Sequence, residues 1–189
     1  MHTLSQVATT AYEEGRKKIQ AWIGAEYSEE VIFTKGTTDG INMISNAWGR
    51  ANLQKGDEVI ITEMEHHSNI VPWQMICEEK GATLKVIPVN DSGELLMEEY
   101  KKLLSNKTKM VALVQISNTL GTINPVKEII ALAHEVGAKV LVDGAQQVAH
   151  AAPNVREIDA DFYVFGLHKM FGPTGVGILY GKKALLEEM

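Results

Sequence analysis

The hydrophobic residues of the chain follow two alternating patterns. Short apolar runs, rich in β-branched residues, predict seven strands, at 31–34, 58–62, 83–89, 109–116, 139–142, 162–165 and 176–180. Between these runs, apolar residues recur at helical spacing and predict helices, at 4–23, 36–48, 69–80, 97–104, 126–136 and from 183 onward. Thr3 is the expected cap of the first helix, and Gly81 and Gly137 close two others.

This alternation predicts an α/β fold with three layers. The strands are nearly continuous apolar runs, which is typical of a sheet that is buried on both faces. We therefore expect a mostly parallel sheet of about seven strands between two layers of helices. The sequence has no internal repeat and no Pro/Ser-rich linker, so residues 1–189 are predicted to form one domain. In such folds, ligands bind at the carboxyl ends of the strands.

The composition narrows the class of protein. The chain is 45% hydrophobic and 22% charged, which is typical of a globular protein. Its 18 Lys and Arg against 24 Asp and Glu give a net charge of −6 without basic clusters, so we expect no nucleic-acid binding. No apolar stretch approaches the roughly 20 residues that span a bilayer. With a polar N-terminus and one cysteine, the sequence predicts a cytoplasmic protein.

Polar and ionisable residues follow almost every predicted strand. If the sheet is parallel, they meet in one crevice, and a combination of Asp, His and Lys there is uncommon in a domain without a site. The residues concerned are Thr37 and Thr38, His66 and His67, Ser117 and Asn118, Asp143 and Gln146, and His168 and Lys169.

Two of these segments each have two interpretations. Gly36, Thr37 and Thr38 at a helix start offer free N–H groups, hydroxyls and the positive end of the helix dipole, which suits an anion. The alternative is an ordinary Thr cap. Asp143 ends a buried strand, where a carboxylate needs a cation or hydrogen-bond donors. It either meets a protonated ring nitrogen or caps a helix. No Walker loop or GxGxxG motif supports nucleotide binding.

Lys169 and the histidines also have alternatives. Only about one free lysine in 2,500 is neutral at pH 7, so a nucleophilic Lys169 needs partial burial or neighbouring cations. Otherwise it is a surface lysine. His66 and His67 could bind a metal, could stack on a flat ligand, or could belong to a polar loop. Their spacing does not match a zinc motif, so we expect no metal site. Cys77 lies at an apolar helix position and is predicted to be buried.

Five ordered segments carry a family resemblance. They are KGTTDGIN (35–42), MEHHSNIVPWQ (64–74), SNTLGT (117–122), VDGAQ (142–146) and HKMFGPTGVGILY (168–180). Together they resemble the Suf-type cysteine desulfurases, which are class V, fold type I enzymes that use pyridoxal 5′-phosphate (PLP). The resemblance covers essentially the whole chain, and the spacing between the five segments is also that of the family.

The resemblance implies a role for each strand-end residue. Lys169 would hold PLP as a Schiff base, Asp143 would keep the pyridine nitrogen protonated, and His66 would stack over the ring and act as an acid/base group. The other implied contacts are those of Asn118 and Gln146 with the ring oxygen, and of Thr37, Thr38 and His168 with the phosphate. Gly166 departs from the family, which usually has a hydroxyl residue there, so we expect slightly weaker phosphate binding.

The same resemblance implies an activity and partners. A desulfurase converts L-cysteine to L-alanine and passes the sulfur, as a persulfide, to a scaffold protein for iron–sulfur clusters. Its relatives include selenocysteine lyases, and homodimers are expected. The chain resembles the family's PLP-binding large domain only, without its nucleophilic cysteine and substrate-binding arginine; Cys77 does not match that cysteine. The alternatives are an inactive PLP-domain fragment and a metal-dependent hydrolase that uses His66, His67 and Asp143.

Overall fold

The computed structural model describes residues 2–189 and contains a seven-stranded sheet. The strands are β1 (Val31–Thr34), β2 (Glu58–Thr62), β3 (Thr83–Ile87), β4 (Thr108–Val114), β5 (Lys139–Asp143), β6 (Phe162–Gly166) and β7 (Gly177–Gly181). The α-helices are α1 (Thr3–Ile23), α2 (Thr37–Asn46), α3 (Trp48–Asn52), α4 (Val71–Lys80), α5 (Met97–Leu103), α6 (Val126–Glu135) and α7 (Lys183–Leu186). Short 3₁₀ turns lie at Ser28–Glu30, His67–Asn69, Gln147–Ala149 and Leu167–Met170.

The order of the strands in the sheet is β1-β7-β6-β5-β4-β2-β3. The pairs from β6 through β5, β4 and β2 to β3 are parallel, and β7 runs antiparallel to both β6 and β1. The predicted mostly parallel, seven-stranded α/β sheet is therefore confirmed. Its parallel strands direct their carboxyl ends to one edge, which is where a ligand site is expected.

Helices cover both faces of the sheet and produce two apolar cores. Alternate residues of β5 face opposite sides, so Val140 and Val142 belong to one core and Leu141 to the other. The first core includes Tyr100 of α5, and the second includes Trp73 of α4, both fully buried. Each such side chain contributes on the order of 2 kcal/mol or more by leaving water. Two packed faces thus hold the central strands rigidly.

Several helix and strand boundaries in the structure differ from the predicted ones. The predicted helix 36–48 is two helices, α2 and α3, which meet at Ala47. Helix α1 begins at Thr3, and the cap position is His2, so Thr3 is not the cap. Strand β3 ends at Ile87 because Pro88, which has no N–H to donate, follows it. The predicted ends at Gly81 and Gly137 are confirmed, and both glycines have the left-handed backbone conformation.

Within residues 2–189, no helix is both long enough and apolar enough to cross a bilayer.

Candidate functional site

An open cleft of about 690 Å³ lies at the carboxyl ends of β4 and β5 and at the start of α2. This volume is in the range of small-molecule and cofactor sites. The eight residues to which the family resemblance assigns a role line this one cleft: Thr37, Thr38, His66, Asn118, Asp143, Gln146, His168 and Lys169. His67 and Ser117, which were also expected at the strand ends, do not line it. The structure therefore brings together side chains from five separate segments of the chain.

The start of α2 forms one end of the cleft. The cap residue is Gly36, and no side chain caps the helix, so the alternative of a Thr cap is wrong. Asp39 instead accepts a hydrogen bond from the backbone N–H of Lys35 (3.0 Å), which fixes the loop before the helix. The hydroxyl-bearing residues Thr37 and Thr38 thus lie at the positive end of the helix dipole and line the cleft.

Glycines let the neighbouring strands approach this helix start. A Cβ atom at Gly177, the first residue of β7, would lie 2.5 Å from the Gly36 Cα atom. A Cβ atom at Gly166 would lie 2.9 Å from the His168 Cε1 atom and 3.4 Å from the Thr37 Oγ1 atom. The imidazole of His168 therefore borders the space that a hydroxyl side chain at position 166 would enter.

Asp143 lies at the floor of the cleft, at the end of β5. It is only 3% exposed, and its Oδ1 atom accepts a hydrogen bond from the N–H of Ala145 (2.9 Å). Burial raises the pKa of the Asp143 carboxyl, while the charges of Lys169 and His66 act in the opposite direction. This hydrogen bond closes a turn within the loop, so the alternative of a helix-capping aspartate is wrong.

Lys169 and His168 lie on the 3₁₀ turn that follows β6. The turn is closed by a hydrogen bond from Gly172 N to Leu167 O (2.9 Å). Phe171, in the left-handed conformation with φ 65°, reverses the chain after it. Lys169 is half-buried and lines the cleft rather than extending from the outer surface.

His66 forms a side wall of the cleft. Its Nδ1 atom accepts a hydrogen bond from the N–H of Ser68 (3.2 Å) and lies 2.9 Å from the Ser68 Oγ atom. Because Nδ1 is an acceptor, the neutral ring carries its proton on Nε2. The adjacent His67 ring is perpendicular to that of His66, with centroids 6.2 Å apart, and is not among the residues that line the cleft.

The amide-bearing residues lie on two loops. Asn118 lies after β4, in the loop that a bridge between Ile116 and Ile123 closes. Its Nδ2 atom donates to Thr119 Oγ1 (3.2 Å). Gln146 is half-buried on the turn after β5. Both residues line the cleft, and the amide of each can donate or accept a hydrogen bond.

The cleft also contains residues that the sequence reasoning did not single out. They are Lys35, Asp39, Asn42, Ser68, Val114, Ala145, Thr174 and Gly175. Most lie within the five motif segments, so the motif spacing was a signal that could have found them. Asn42 lies one helical turn after Thr38, which places both on one face of α2.

Side-chain positions bear on the metal-site alternative and on Cys77. In residues 2–189, no group of three or more His, Cys, Asp or Glu residues could hold a metal ion. Cys77 is 3% exposed in the second core, and burial raises the pKa of its thiol to about 11. The prediction of a buried cysteine is therefore confirmed.

Comparison with known proteins decides the family. The model of the aminotransferase class-V family matches residues 1–189. The chain belongs to the aminotransferase class-V family. The predicted family resemblance is thereby confirmed.

Curated proteins that are similar to this chain include cysteine desulfurases. The chain is 54% identical over 189 residues to the cysteine desulfurase of Salmonella typhimurium and 53% identical over 186 residues to that of Synechococcus elongatus. These matches cover 100% and 98% of this chain, and 47% and 30% of the relatives. The chain thus spans half or less of the length of these curated relatives.

Solved structures show the same fold. The cysteine desulfurase CsdA from Escherichia coli superposes with a TM-score of 0.93 at 38% identity, over 100% of this chain and 48% of that protein. The apo cysteine desulfurase from Thermococcus onnurineus gives a TM-score of 0.94 at 38% identity, over 100% of this chain and 46% of that protein. The sheet and helices are those of the PLP-dependent fold type I large domain.

Proposed function

We propose that this chain is the cofactor-binding part of a PLP-dependent cysteine desulfurase, which converts L-cysteine to L-alanine and passes the sulfur to an acceptor protein for iron–sulfur cluster assembly. The observation that carries the proposal is that Lys169, Asp143 and His66 line one cleft and that the Asp143 carboxylate is buried. The family and the curated relatives, which are cysteine desulfurases, support it. A cytoplasmic homodimer belongs to the same proposal.

The residues of the cleft suit PLP in their chemistry. A buried carboxylate with one backbone hydrogen bond is a suitable partner for a protonated ring nitrogen, since an unpaired buried charge is costly. The start of α2, with Gly36 at the cap and hydroxyls beside it, suits the dianionic phosphate. When bound, PLP supplies an electron sink for the substrate Cα.

Each wall of the cleft has a proposed task. Lys169 Nζ would hold the cofactor covalently and move the proton at the substrate Cα, Asp143 would keep the ring nitrogen protonated, and His66 would cover the ring face. The proposed contacts to the ring oxygen and to the phosphate are those of Asn118 and Gln146, and of Thr37, Thr38 and His168. His66 presents Nε2 as its proton-bearing atom, because Nδ1 accepts from Ser68.

The thiolate that receives the sulfur is not supplied by Cys77. Its thiol is buried and has a pKa raised to about 11, so it is neither accessible nor ionised at neutral pH. We therefore expect the 189-residue chain alone to produce little or no alanine from cysteine. A selenocysteine lyase would use the same cleft, so a comparison of selenocysteine with cysteine on the full-length protein separates these two activities.

The test of the proposed site is reductive trapping. The chain is incubated with PLP, treated with borohydride and digested, and the modified peptide is identified by mass spectrometry. We expect the adduct on Lys169, its loss in Lys169→Ala, and its retention in Lys35→Ala, which removes the other cleft-lining lysine. Labelling that persists in Lys169→Ala would refute the assignment.

A further inference from the structure

Glu65 is a buried carboxyl group beside the cleft to which the proposed function assigns no task. It directly precedes His66 in the chain and is 8% exposed. Its carboxyl accepts three hydrogen bonds, from Thr62 Oγ1 (2.5 Å), Val114 N (2.8 Å) and Asn69 Nδ2 (2.7 Å). These partners belong to β2, to β4 and to the turn before α4. One side chain therefore connects three elements around the His66 loop.

Neighbouring groups that can only donate fix the direction of two of these hydrogen bonds. The Trp73 Nε1–H group can only donate, and it donates to Asn69 Oδ1 (3.0 Å), so the amide nitrogen of Asn69 must face Glu65. The Glu65 Oε2 atom has to accept that bond. The Glu65 Oε1 atom likewise has to accept from a backbone N–H, that of Val114. Both oxygens are therefore held as acceptors by donors that cannot reverse.

The Thr62 hydroxyl is the one partner that can either donate or accept. It satisfies an ionised Glu65 by donating and a protonated Glu65 by accepting. A glutamine at position 65 cannot satisfy all of these partners. Its NH₂ group would face another donor, either the Asn69 amide nitrogen or the Val114 N–H. A glutamine would therefore leave a buried donor unsatisfied, which is costly.

The position of this carboxyl connects it to the cleft. Val114, the last residue of β4, is paired in register with Asp143 and lines the cleft. The Glu65 carboxyl thus ties the loop that carries His66 to the strand next to Asp143. Burial raises the pKa of Glu65 to about 8, and the negative charge of Asp143 adds to this effect. Lys169 and His66 are the other charged or titratable groups whose charges act on Asp143 in this cleft.

We propose that Glu65 is a positioning residue of the cofactor site, which holds the His66 imidazole over the cleft through its acceptor-only contacts with Val114 and Asn69. This inference rests on the proposed function for its effect on the cofactor. Its structural part concerns the orientation of the His66 ring and holds for the chain without cofactor.

The test uses Glu65→Gln and Glu65→Ala, with Glu63→Gln as the matched control, since Glu63 is exposed two residues earlier in the chain. PLP binding is followed by absorbance titration. We expect both Glu65 variants to weaken PLP binding about two- to ten-fold, no more than loss of the His66 ring would, and the control to leave it unchanged. Glutamine is expected to fail as a rescue because of the fixed donors. A Glu65→Gln protein that binds PLP like the unmodified chain would overturn the proposal.

A second measurement separates positioning from general stability. The measurement is a double-mutant cycle with His66→Ala. If Glu65 acts on PLP only through the His66 ring, Glu65→Gln should change the PLP affinity little once that ring has been removed. Additive effects would contradict the proposal. Should Glu65→Ala not fold, Thr62→Val removes only one contact and is expected to give a smaller loss in the same direction; an unchanged affinity would count against the proposal.

A third measurement does not depend on the cofactor. In the chain without PLP, the NMR signals of the His66 ring should shift in Glu65→Gln and stay unchanged in Glu63→Gln. If the unmodified chain does not bind PLP, the proposed function fails, and these signals still decide on Glu65. An unperturbed His66 ring in Glu65→Gln would refute the positioning role.

Discussion

Gly177 contacts the backbone of Gly36, and a Cβ atom at position 177 would lie 2.5 Å from the Gly36 Cα atom. Gly177 begins β7, and Gly36 is the cap residue of α2, where the phosphate site is proposed. The neighbour is backbone rather than the end of a flexible side chain, so an added methyl group can be accommodated only by moving the helix start.

Gly177→Ala is therefore expected to destabilise the fold by about 1–3 kcal/mol and to weaken phosphate recognition. The affinity for PLP should fall more than the affinity for pyridoxal, which has no phosphate. Both affinities can be measured by absorbance titration. Gly15→Ala on α1 is the control, since the nearest atom to its Cβ is 3.9 Å away, and alanine should gain up to about 1 kcal/mol there. An equal loss for both ligands would show that the phosphate is bound elsewhere.

The buried carboxyl of Glu65 predicts how stability depends on pH. Its folded-state pKa is raised from 4.5 to about 8, so the folded chain binds more protons than the unfolded chain across this range. The free energy of unfolding should therefore fall as the pH rises from about 5 to 8. Asp143, whose pKa is raised by burial, contributes in the same direction.

Denaturant titrations of the cofactor-free chain at several pH values measure this slope. Glu65→Gln, which cannot titrate, should flatten it, whereas the exposed Glu63→Gln should not. An unchanged slope in Glu65→Gln would mean that Glu65 is ionised throughout.

Two substitutions of His66 are expected to differ in their effect on PLP affinity. One removes the aromatic face, and the other removes only the proton-carrying nitrogen. Stacking on a flat ligand contributes about 0.5–1.5 kcal/mol, so His66→Ala should weaken PLP binding about two- to ten-fold. His66→Phe keeps an aromatic face and should retain most of the affinity. His67→Ala, which alters the perpendicular neighbouring ring, should bind like the unmodified chain. Equal losses in His66→Phe and His66→Ala would argue against stacking.

A charged cluster at the opposite edge of the sheet predicts an effect on stability alone. Asp161 is 2% exposed and accepts a hydrogen bond from Val140 N (2.8 Å), and its carboxylate oxygens lie 2.7 Å from His134 Nε2 and 3.1 Å from Lys182 Nζ. Asp161→Asn should cost about 3 kcal/mol, because it removes the buried anion that pairs with the Lys182 ammonium group. The Asp159 side chain in the same cluster is 61% exposed. Because solvent screens its charge, Asp159→Asn should cost less than about 1 kcal/mol.

Chemical denaturation of both variants checks this difference, and PLP titration is the internal control. The two substitutions should leave the cofactor affinity unchanged. Equal destabilisation by both would show that burial of Asp161 is not what makes its contacts strong.

The amino-acid sequence by itself determined the fold class and eight of the residues that line the cleft. The buried strands are continuous apolar runs in the sequence, and such runs imply a parallel sheet. In a parallel sheet the loops that follow the strands lie at one edge, so Asp143 and Lys169 lie there together. Local chemistry also fixed the helix ends at Gly81 and Gly137. These features depend on periodicity and on backbone freedom, which are properties of short segments.

Only the tertiary structure decided the features that depend on neighbours distant in the sequence. The Glu65 carboxyl meets Val114, 49 residues later, and this contact turns a polar loop residue into a buried one with a raised pKa. The contact of Gly177 with Gly36 likewise depends on packing. Hydrogen-bond partners, burial and close backbone approaches are set by the packed fold, and the pattern of a single segment does not contain them.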